Sequence, residues 1–303
     1  MAVPDVSIVT VTYECRELLR PCLDAIPAAV GERSYEVVIS DNRSTDGVVQ
    51  MVRDEWPLVG VIEMGSNTGF ARANNRAIAA SRGRFVLLLN PDTKPAPGSI
   101  DRLAAFLDGT PSAGVVAPRL LNSDLTDQGT ARSFPTAAAA IFGRRSVLSR
   151  LFPNNRWSRR YLAGRSIGGS DPFEVDWVSG AALMVRRDII DRVGDLDEGF
   201  FMHWEDADWC HRIKDAGHRV YCLPAAEIVH TEGGSRRGWP PRQLWAFHHS
   251  AYRYYTKHHA KHAWNPLRYV ALVGLSIRAV AMIMVASLSA GSGVAAVRRD
   301  EAP

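Results

Sequence analysis

The chain has 303 residues, of which 46% are apolar, and it carries a net charge of +4. This size suffices for one large domain with a buried core, or for two smaller ones. The positive charge is clustered, because residues 144–165 contain seven arginines and no acid and the segment 236–299 contains further arginines and lysines. Such clusters suit a diphosphate or an anionic membrane face, although a solvated surface better explains any single arginine. A nucleic-acid partner is disfavoured, because the arginines are not interleaved with aromatic residues on a strand platform.

The four cysteines, at 15, 22, 210 and 222, show neither a CxxC pair nor zinc-finger spacing. They predict reduced, buried thiols in a cytosolic protein rather than a disulfide framework. No signal peptide precedes the first apolar run, which starts at Val6. We therefore expect the chain to begin in the cytosol.

Apolar strands and amphipathic helices alternate through the first 120 residues. The pattern predicts strands at 6–12, 35–40, 59–64, 84–89 and 115–120, and helices at 16–29, 48–55, 69–81 and 99–107. Alternation at this spacing indicates βαβ units, so the fold class is α/β with a mostly parallel sheet. Ligands of such sheets bind beyond the carboxyl ends of the strands.

The second half of the chain is less regular. Residues 126–170 are rich in Gly, Pro, Ser and Arg and predict a mobile, basic excursion. Strands resume at 175–187, an acidic motif opens a helix that ends near Gly217, and short strands follow at 219–223 and 227–230. Beyond Gln243 we expect helix to the end of the chain.

Polar motifs follow three of the predicted strands. Asp41 and Asn42 begin a turn that either caps the next helix or grips ribose hydroxyls or a base edge. The turn at 67–69 precedes a helix, whose N-terminus either binds phosphate or is an ordinary cap. Asp92, in Asn90-Pro91-Asp92, is well placed to bind Mg²⁺ or Mn²⁺ that bridges a nucleotide diphosphate.

Three carboxylates are crowded at Glu205, Asp206 and Asp208. Such crowding indicates either a metal ion or a carboxylate kept as a general base, whereas the plain alternative is a solvated acidic turn that opens a helix. His230 ends a short strand; a lone histidine is usually structural, but here it is a candidate imidazole ligand beside Asp92.

The tail combines apolar and basic residues. The uncharged run 279–297 is near the ~20 residues that a membrane span needs, but it is rich in Ala, Gly and Ser. We therefore favour a helix that lies in or against the membrane interface over a spanning helix. The block 245–259 mixes aromatics with cations, and five histidines lie between 248 and 262, which favours an interfacial or oligomer-forming helix over a metal tract.

The order of these motifs resembles the large inverting GT-A glycosyltransferase family 2 over about residues 5–235. The motifs are Thr12-Tyr13, Asp41-Asn42-x-Ser44-x-Asp46-Gly47, Asn67-x-Gly69-Phe70-Ala71-x-x-Asn74, Asn90-Pro91-Asp92, Trp177-x-Ser179-Gly180 and Glu205-Asp206-x-Asp208. Within the family, the chain is most similar to rhamnosyltransferases that transfer L-rhamnose from dTDP-L-rhamnose to polyprenyl-diphosphate-linked GlcNAc in cell-wall polysaccharide assembly.

The resemblance implies a role for each matching residue. Asp206 would be the general base, with Glu205 and Asp208 orienting it or the acceptor sugar, and Asp92 and His230 would hold Mn²⁺ or Mg²⁺. The donor nucleotide would be bound by Thr12, Tyr13, Asp41, Asn42, Asn67, Gly69, Asn74, Asn90 and Asp92. The acceptor pocket would be lined by Trp177, Ser179, Gly180 and Trp204. Asn90 departs from the Asp of the family pattern, which leaves one carboxylate at the metal.

The implied fold is GT-A, a Rossmann-like, mostly parallel twisted sheet flanked by helices. The expected domains are a catalytic unit at 1–240, with a nucleotide-binding half (1–120) and an acceptor half (121–240), and a helical tail at 241–303 that associates with the membrane or forms a homo-oligomer. The expected location is the cytoplasmic face of the plasma membrane, as a peripheral or monotopic protein.

Other functions remain open at this point. One is a different family 2 transferase, galactofuranosyl or hexosaminyl. Another is a sugar-phosphate nucleotidyltransferase, which the absence of glycine in Thr12-Tyr13-Glu14-Cys15-Arg16 disfavours. The third is a non-catalytic glycan- or lipid-binding protein on the same fold.

Overall fold

A computed structural model describes residues 2–134, 169–231 and 241–297. Most of the predicted basic excursion, with its arginine cluster at 144–165, lies outside the described residues. The strands are β1 (Val6–Thr12), β2 (Tyr35–Asp41), β3 (Gly60–Glu63), β4 (Phe85–Leu89), β5 (Thr93–Pro95), β6 (Ala113–Leu121), β7 (Ala131–Arg132), β8 (Phe173–Val175), β9 (Trp177–Val178), β10 (Ala182–Arg186) and β11 (Arg219–His230). The helices are α1 (Arg16–Val30), α2 (Val48–Glu55), α3 (Phe70–Ala80), α4 (Ser99–Gly109), α5 (Arg187–Val193), α6 (Glu205–Asp215), α7 (Pro241–His258) and α8 (Pro266–Val297).

Nine of the described strands form one sheet, in the order β3-β2-β1-β4-β10-β6-β11-β5, with β8 beside β11. The pairs β3-β2, β2-β1 and β1-β4 are parallel, as the alternating pattern predicts. The other half of the sheet is mixed, because β10 enters antiparallel between β4 and β6, and β11 pairs antiparallel with β5 and β8. The fold is thus α/β and GT-A-like, but the sheet is less uniformly parallel than its alternating first half predicts.

The sheet is buried on both faces, and β4 shows why its sequence is continuously apolar. Phe85, Leu87 and Leu89 pack with α1, α2 and α4 on one face. Val86 and Leu88 pack with α3, α5 and α6 on the other. Alternate residues of a strand point to opposite faces, so a strand covered on both sides has no polar positions. The first polar residues after β4 therefore lie at its carboxyl end.

Several elements differ from the sequence expectation. The segments predicted as two strands, 219–223 and 227–230, form the single strand β11, with a register shift between Leu223 and Glu227. Pro224 lies in this irregular stretch, and proline cannot donate to a strand ladder. The tail is two helices rather than one. Pro266 begins α8, and the side chain of Asn265 accepts the N–H of Leu267 at 3.0 Å.

The four cysteines are free and buried, as predicted. Burial raises the pKa of each thiol to about 12, so none is a thiolate near neutral pH. In α8, Pro266–Val285 is long and apolar enough to cross a membrane by length and composition, with a mean hydropathy of 1.7 and 6% of the segment buried.

Candidate active site

The first group of predicted site residues lies where β1 and β2 end. The carboxylate of Asp41 is 2% exposed and accepts hydrogen bonds from Thr12 Oγ1 at 2.8 Å, Ser44 Oγ at 2.6 Å and Ser44 N at 2.9 Å. Three donors fix the orientation of this carboxylate. Tyr13, the next residue after β1, is 37% exposed.

A second group forms the turn before α3. Asn42 spans the gap between β2 and this turn, because its Nδ2 donates to the Gly69 carbonyl at 3.1 Å and its Oδ1 accepts from Thr68 N at 3.1 Å. Asn67 Oδ1 accepts from Gly69 N at 3.2 Å. Asn74 is 1% exposed, and its Nδ2 donates to the Phe70 carbonyl at 2.9 Å within the helix. All these residues help to build the turn.

Gly69 is required in this turn for two reasons. Its φ is +88°, and a Cβ there would collide with the carbonyl oxygen of Phe201. The same carbonyl accepts the N–H of Phe70 at 2.7 Å. Through Gly69 the start of α3 therefore lies directly against the loop 195–204, which leads into α6.

Asp92 and His230 come together where β5 pairs with the end of β11. His230 Nε2 lies 3.3 Å from Asp92 Oδ1, and both side chains are largely buried. Among the described residues, the Asp92 Oδ1 atom has no hydrogen-bond partner. His230 Nδ1 donates to the side-chain oxygen of Gln128 at 2.7 Å, which leaves the Nε2 lone pair directed toward Asp92 in the neutral imidazole.

This pair fits a divalent metal. One carboxylate oxygen and one imidazole nitrogen are ligands that suit Mn²⁺. A metal ion bound there would be coordinated by the Asp92 Oδ1 atom, which has no hydrogen-bond partner among the described residues. No cluster of three or more potential His, Cys, Asp or Glu ligands occurs in the described ranges. Asn90 supplies no carboxylate, so water and a bound diphosphate would have to supply the other ligands of such an ion.

Asp206 lies in the first turn of α6. Its Oδ2 accepts the backbone N–H of Gly180 at 2.8 Å, and its Oδ1 accepts that of Ala207 at 2.8 Å. Burial raises the pKa of Asp206 above its ordinary value, while these two N–H donors and the positive charge of Arg132 oppose the rise. A carboxylate with a raised pKa and a fixed orientation suits a general base.

Glu205 and Asp208 differ from Asp206 and from each other. Glu205 is 5% exposed with an unpartnered Oε2, and burial, followed by the charge of Asp206, raises its pKa well above the ordinary value. Burial therefore favours the neutral form of Glu205 more strongly than that of Asp206. Asp208 has no exposed surface; burial alone would raise its pKa, but His258, Lys257 and Arg212 hold the pKa below its ordinary value.

The residues predicted to line the acceptor pocket fall into two places. Trp177 in β9 donates its Nε1–H to the Ser133 carbonyl at 3.0 Å, and Ser179 Oγ accepts the N–H of Ala181 at 3.3 Å. Together with Gly180 they lie beside Asp206. Trp204 faces the tail helix instead, with its ring centroid 5.4 Å from that of Tyr254 in α7.

Four residues contribute to this arrangement without having been predicted. Gln128 fixes the imidazole of His230, and Arg132 lies over the Trp177 ring at 4.8 Å. Lys257 and His258 pair with Asp208 at 2.8 and 2.7 Å. Their partners lie tens of residues away in the chain, so no local spacing signals them.

The comparisons with known proteins identify the family of the chain. The family described as Glycosyl transferase family 2 matches residues 7–194. The chain is 32% identical over 287 residues to the N-acetylglucosaminyl-diphospho-decaprenol L-rhamnosyltransferase of Mycobacterium tuberculosis, covering 91% of this chain and 92% of the relative. It is 25% identical over 236 residues to the rhamnosyltransferase WbbL of Escherichia coli (strain K12), covering 74% and 83% of the two chains.

Among solved structures, the mannosyltransferase PcManGT of Pyrobaculum calidifontis, in complex with GDP-Man and Mn²⁺, matches with a TM-score of 0.57 at 20% identity, covering 97% of this chain and 81% of that chain. That likeness supports the fold. The family match spans more than half of this chain, and the 32% identical relative is matched over nine-tenths of it. The chain therefore belongs to glycosyl transferase family 2, has the GT-A fold and is a glycosyltransferase.

Proposed function

We propose that the protein transfers L-rhamnose from dTDP-L-rhamnose to GlcNAc linked to polyprenyl diphosphate, with inversion at the anomeric carbon, during cell-wall polysaccharide assembly. The name of the Mycobacterium tuberculosis relative supports the rhamnosyl group and the lipid-linked GlcNAc, because the match covers nearly the whole of both chains. The E. coli relative is also named as a rhamnosyltransferase. The dTDP donor and the inverting course are our own inference from the resemblance and the site.

The observation that carries the reaction class is a pair of hydrogen bonds that join the two sides of the site. Asn90 N, at the end of β4, donates to the Ala181 carbonyl at 2.8 Å. The preceding Gly180 N donates to Asp206 Oδ2 at 2.8 Å. One short turn therefore connects the strand that leads to Asp92 with the carboxylate assigned as the base. Glycosyl transfer needs a group that stabilises the leaving diphosphate close to a base that accepts the proton of the acceptor hydroxyl.

On the donor side, the chain would bind the nucleoside between Tyr13 and the turn built by Asp41 and Asn42. Asp92 and His230 would hold Mn²⁺ or Mg²⁺ against the diphosphate. A divalent ion bound there would supply positive charge to the leaving dTDP. Gln128 keeps His230 in the tautomer that leaves Nε2 available, so this residue contributes to the donor side indirectly.

On the acceptor side, Asp206 would accept the proton of the GlcNAc hydroxyl. The hydroxyl oxygen forms a bond to the anomeric carbon of rhamnose, while the bond from that carbon to the diphosphate oxygen breaks and its electron pair leaves with dTDP. Attack from the face opposite the leaving group inverts the anomeric configuration. The N–H groups of Gly180 and Ala207 occupy one lone pair on each Asp206 oxygen, so a further lone pair is left for the substrate proton.

A lipid-linked acceptor places the reaction at a membrane surface. Helix α8 supports that location, because its apolar segment Pro266–Val285 is almost entirely unburied. We propose that the protein acts at the cytoplasmic face of the plasma membrane as a peripheral or monotopic protein. The exposed aromatic Trp264, immediately before α8, suits the interfacial region.

A donor panel tests the proposal. The purified full chain would be given a polyprenyl-diphosphate-GlcNAc analogue, Mn²⁺ or Mg²⁺, and in turn dTDP-L-rhamnose, UDP-galactofuranose, UDP-GlcNAc and UDP-glucose, with products read by mass spectrometry. We expect addition of one deoxyhexose from dTDP-L-rhamnose, abolished by EDTA, and an anomeric configuration opposite to that of the donor by NMR.

Two variants on the same helix refine the assay. Asp206→Asn should lower kcat by about 10²–10⁴-fold, the usual contribution of a general base. Asp215→Asn, at the exposed end of α6, is the matched control and should retain wild-type activity. Transfer from a different donor would overturn the rhamnose assignment while keeping the glycosyltransferase. Full activity of Asp206→Asn would overturn the assignment of the base.

A further inference from the structure

The tail helix α7 is bound to the catalytic helix α6 by buried ion pairs. Asp208 has no exposed side-chain surface, yet it contacts Lys257 Nζ at 2.8 Å and His258 Nε2 at 2.7 Å, both from the last turn of α7. Arg212 Nε, one turn later in α6, completes the set at 3.0 Å. A buried carboxylate needs such partners, so the contact with α7 stabilises α6 in this position in addition to its packing on the sheet.

The same lysine also holds the loop that leads into α6. Lys257 Nζ lies 2.7 Å from Asp197 Oδ2, and Arg253 Nη2 lies 2.7 Å from Asp197 Oδ1. Lys257 therefore bridges two carboxylates, one at the start of the 195–204 loop and one in the first turn of α6. Asp206 lies between these two anchor points in the sequence. At both points the loop and the helix are fixed to α7 rather than to the sheet.

The end of the loop is held in a strained conformation. His203 and Trp204 have φ values of +69° and +73°, a backbone conformation that residues other than glycine rarely adopt. Such strain persists only when the surroundings enforce it. Here the surroundings are largely α7, because the Trp204 ring packs on Phe247 and Tyr254 at 5.7 and 5.4 Å between centroids. Ser250 Oγ also donates to the Met202 carbonyl at 3.1 Å.

We propose that α7 is a positioning element of the active site, and that Lys257 is the positioning residue that sets the orientation of Asp206 by fixing the 195–204 loop and the first turn of α6 together. The expected effect on catalysis rests on the proposed function, whereas the expected effect on the conformation of the 195–204 loop does not. Within the tail expected at 241–303, α7 then acts with the catalytic unit, whereas α8 carries the exposed apolar segment that suits a membrane.

The test compares two variants of the full chain. Lys257→Met removes the charge that bridges Asp197 and Asp208, and Lys257→Arg retains it. Arg33→Gln is the matched control, because Arg33 also bridges two carboxylates, Asp101 at 2.6 Å and Asp108 at 2.9 Å, both in α4 on the opposite face of the sheet. The readouts are amide hydrogen exchange of residues 198–208, kcat and KM for transfer, and affinity for dTDP.

We expect Lys257→Met to speed exchange at 198–208 about tenfold or more and to lower kcat by about 10–100-fold, the cost of misplacing a reacting group by about 1 Å. KM for the donor and dTDP affinity should stay within about twofold, because among the described residues Lys257 forms its ion pairs with Asp197 and Asp208 and not with Asp41, Asp92 or His230. Lys257→Arg should restore exchange protection and kcat, and Arg33→Gln should change neither.

Unchanged exchange at 198–208 in Lys257→Met would overturn the proposal, as would faster exchange with unchanged kcat. If Lys257→Met does not fold, Asp197→Asn tests the proposal in its place. This variant removes the ion pair of Lys257 with the loop and leaves Asp208 paired, and it should still speed exchange at 198–208. If the wild-type chain transfers no sugar from any donor, the proposed function fails. The exchange experiment then still shows whether Lys257 holds the loop.

Discussion

The Nδ1 atom of His230 lies 2.7 Å from the side-chain oxygen of Gln128, and the two residues are 102 positions apart in the chain. Because the amide oxygen can only accept, the Nδ1 atom carries the proton and the Nε2 atom is free to face Asp92. The amide nitrogen of Gln128 donates to the His230 carbonyl at 3.1 Å and to Asn122 Oδ1 at 3.0 Å. Gln128 thus fixes both the backbone and the ring of the proposed metal ligand.

Loss of this support should weaken metal binding. Gln128→Leu is expected to lower the affinity for Mn²⁺, measured by electron paramagnetic resonance in the presence of dTDP, by about 10–100-fold. His230→Ala should lower it further, because it removes a ligand. Gln50→Leu is the control, since Gln50 pairs with Asp54 on the exposed surface of α2. Equal affinity in Gln128→Leu and the wild type would count against a metal bound by His230.

Gly69 should tolerate no side chain. Gly69→Ala places a Cβ against the Phe201 carbonyl at a residue whose φ is +88°. We expect the free energy of unfolding to fall by about 1–3 kcal/mol, as for other forced contacts and left-handed residues, measured by chemical denaturation. Gly109→Ala is the matched control, because a Cβ there meets nothing within 4 Å and Gly109 lies at the end of α4.

If the two alanine variants were equally stable, the close contact between the start of α3 and the 195–204 loop would not be what requires glycine at position 69. A loss of dTDP affinity without loss of stability would have the same implication, and would point to a direct contact between this turn and the nucleotide.

The parts of the fold that sequence reasoning predicts are those with a local signal. The continuous apolar run of β4 follows from burial on both faces, and Asp92 is the first carboxylate after that run. The carboxyl end of a strand can therefore be found by reading along the chain. The antiparallel entry of β10 has no such signal, because its apolar residues suit either direction.

In the site, too, sequence reasoning predicts only the residues that have a local signal. Asp206 is visible as one of three crowded carboxylates, but the different surroundings of the three are not. Asp208 is paired with residues 49 and 50 positions away in α7, whereas the Oε2 atom of buried Glu205 has no hydrogen-bond partner in the part of the chain that the structure describes. The packing of α7 creates this difference, whereas in the sequence only the resemblance to the family separates Asp206 from its two neighbours.

The burial of Glu205 should make stability depend on pH. Its folded-state pKa is raised well above the ordinary value, so its neutral form is favoured in the folded protein. Its contribution to stability is complete below the unfolded pKa of about 4.3 and is lost as the pH rises through the folded pKa. Glu205→Gln removes this loss, because glutamine is neutral at every pH.

We therefore expect Glu205→Gln to raise the Tm relative to the wild type at pH 8 and to change it little at pH 4, measured by scanning calorimetry. Glu63→Gln is the control, because the Glu63 side chain is 57% exposed. The Tm of this variant should not rise relative to the wild type between pH 4 and pH 8. A lower Tm for Glu205→Gln at pH 8 would mean that Glu205 is ionised in the folded protein.

Helix α8 should carry the membrane affinity. Val273 and Ile277 are 57% and 65% exposed and lie one turn apart in its apolar segment. An Asp at the centre of a membrane helix costs about 2.5–3.5 kcal/mol, and less nearer the interface. Val273→Asp with Ile277→Asp should therefore reduce cosedimentation with phosphatidylglycerol and phosphatidylethanolamine vesicles by about tenfold or more.

Transfer to a water-soluble acceptor analogue should stay within about twofold in this double variant, because both side chains are mostly exposed and lie outside the residues assigned to the site. Leu58→Asp is the control for added charge, since Leu58 is 98% exposed in the connection between α2 and β3. Vesicle binding that survived both aspartates would assign the membrane contact to a different part of the chain. Vesicle binding and soluble transfer that fell together would instead show that α8, like α7, supports the active site.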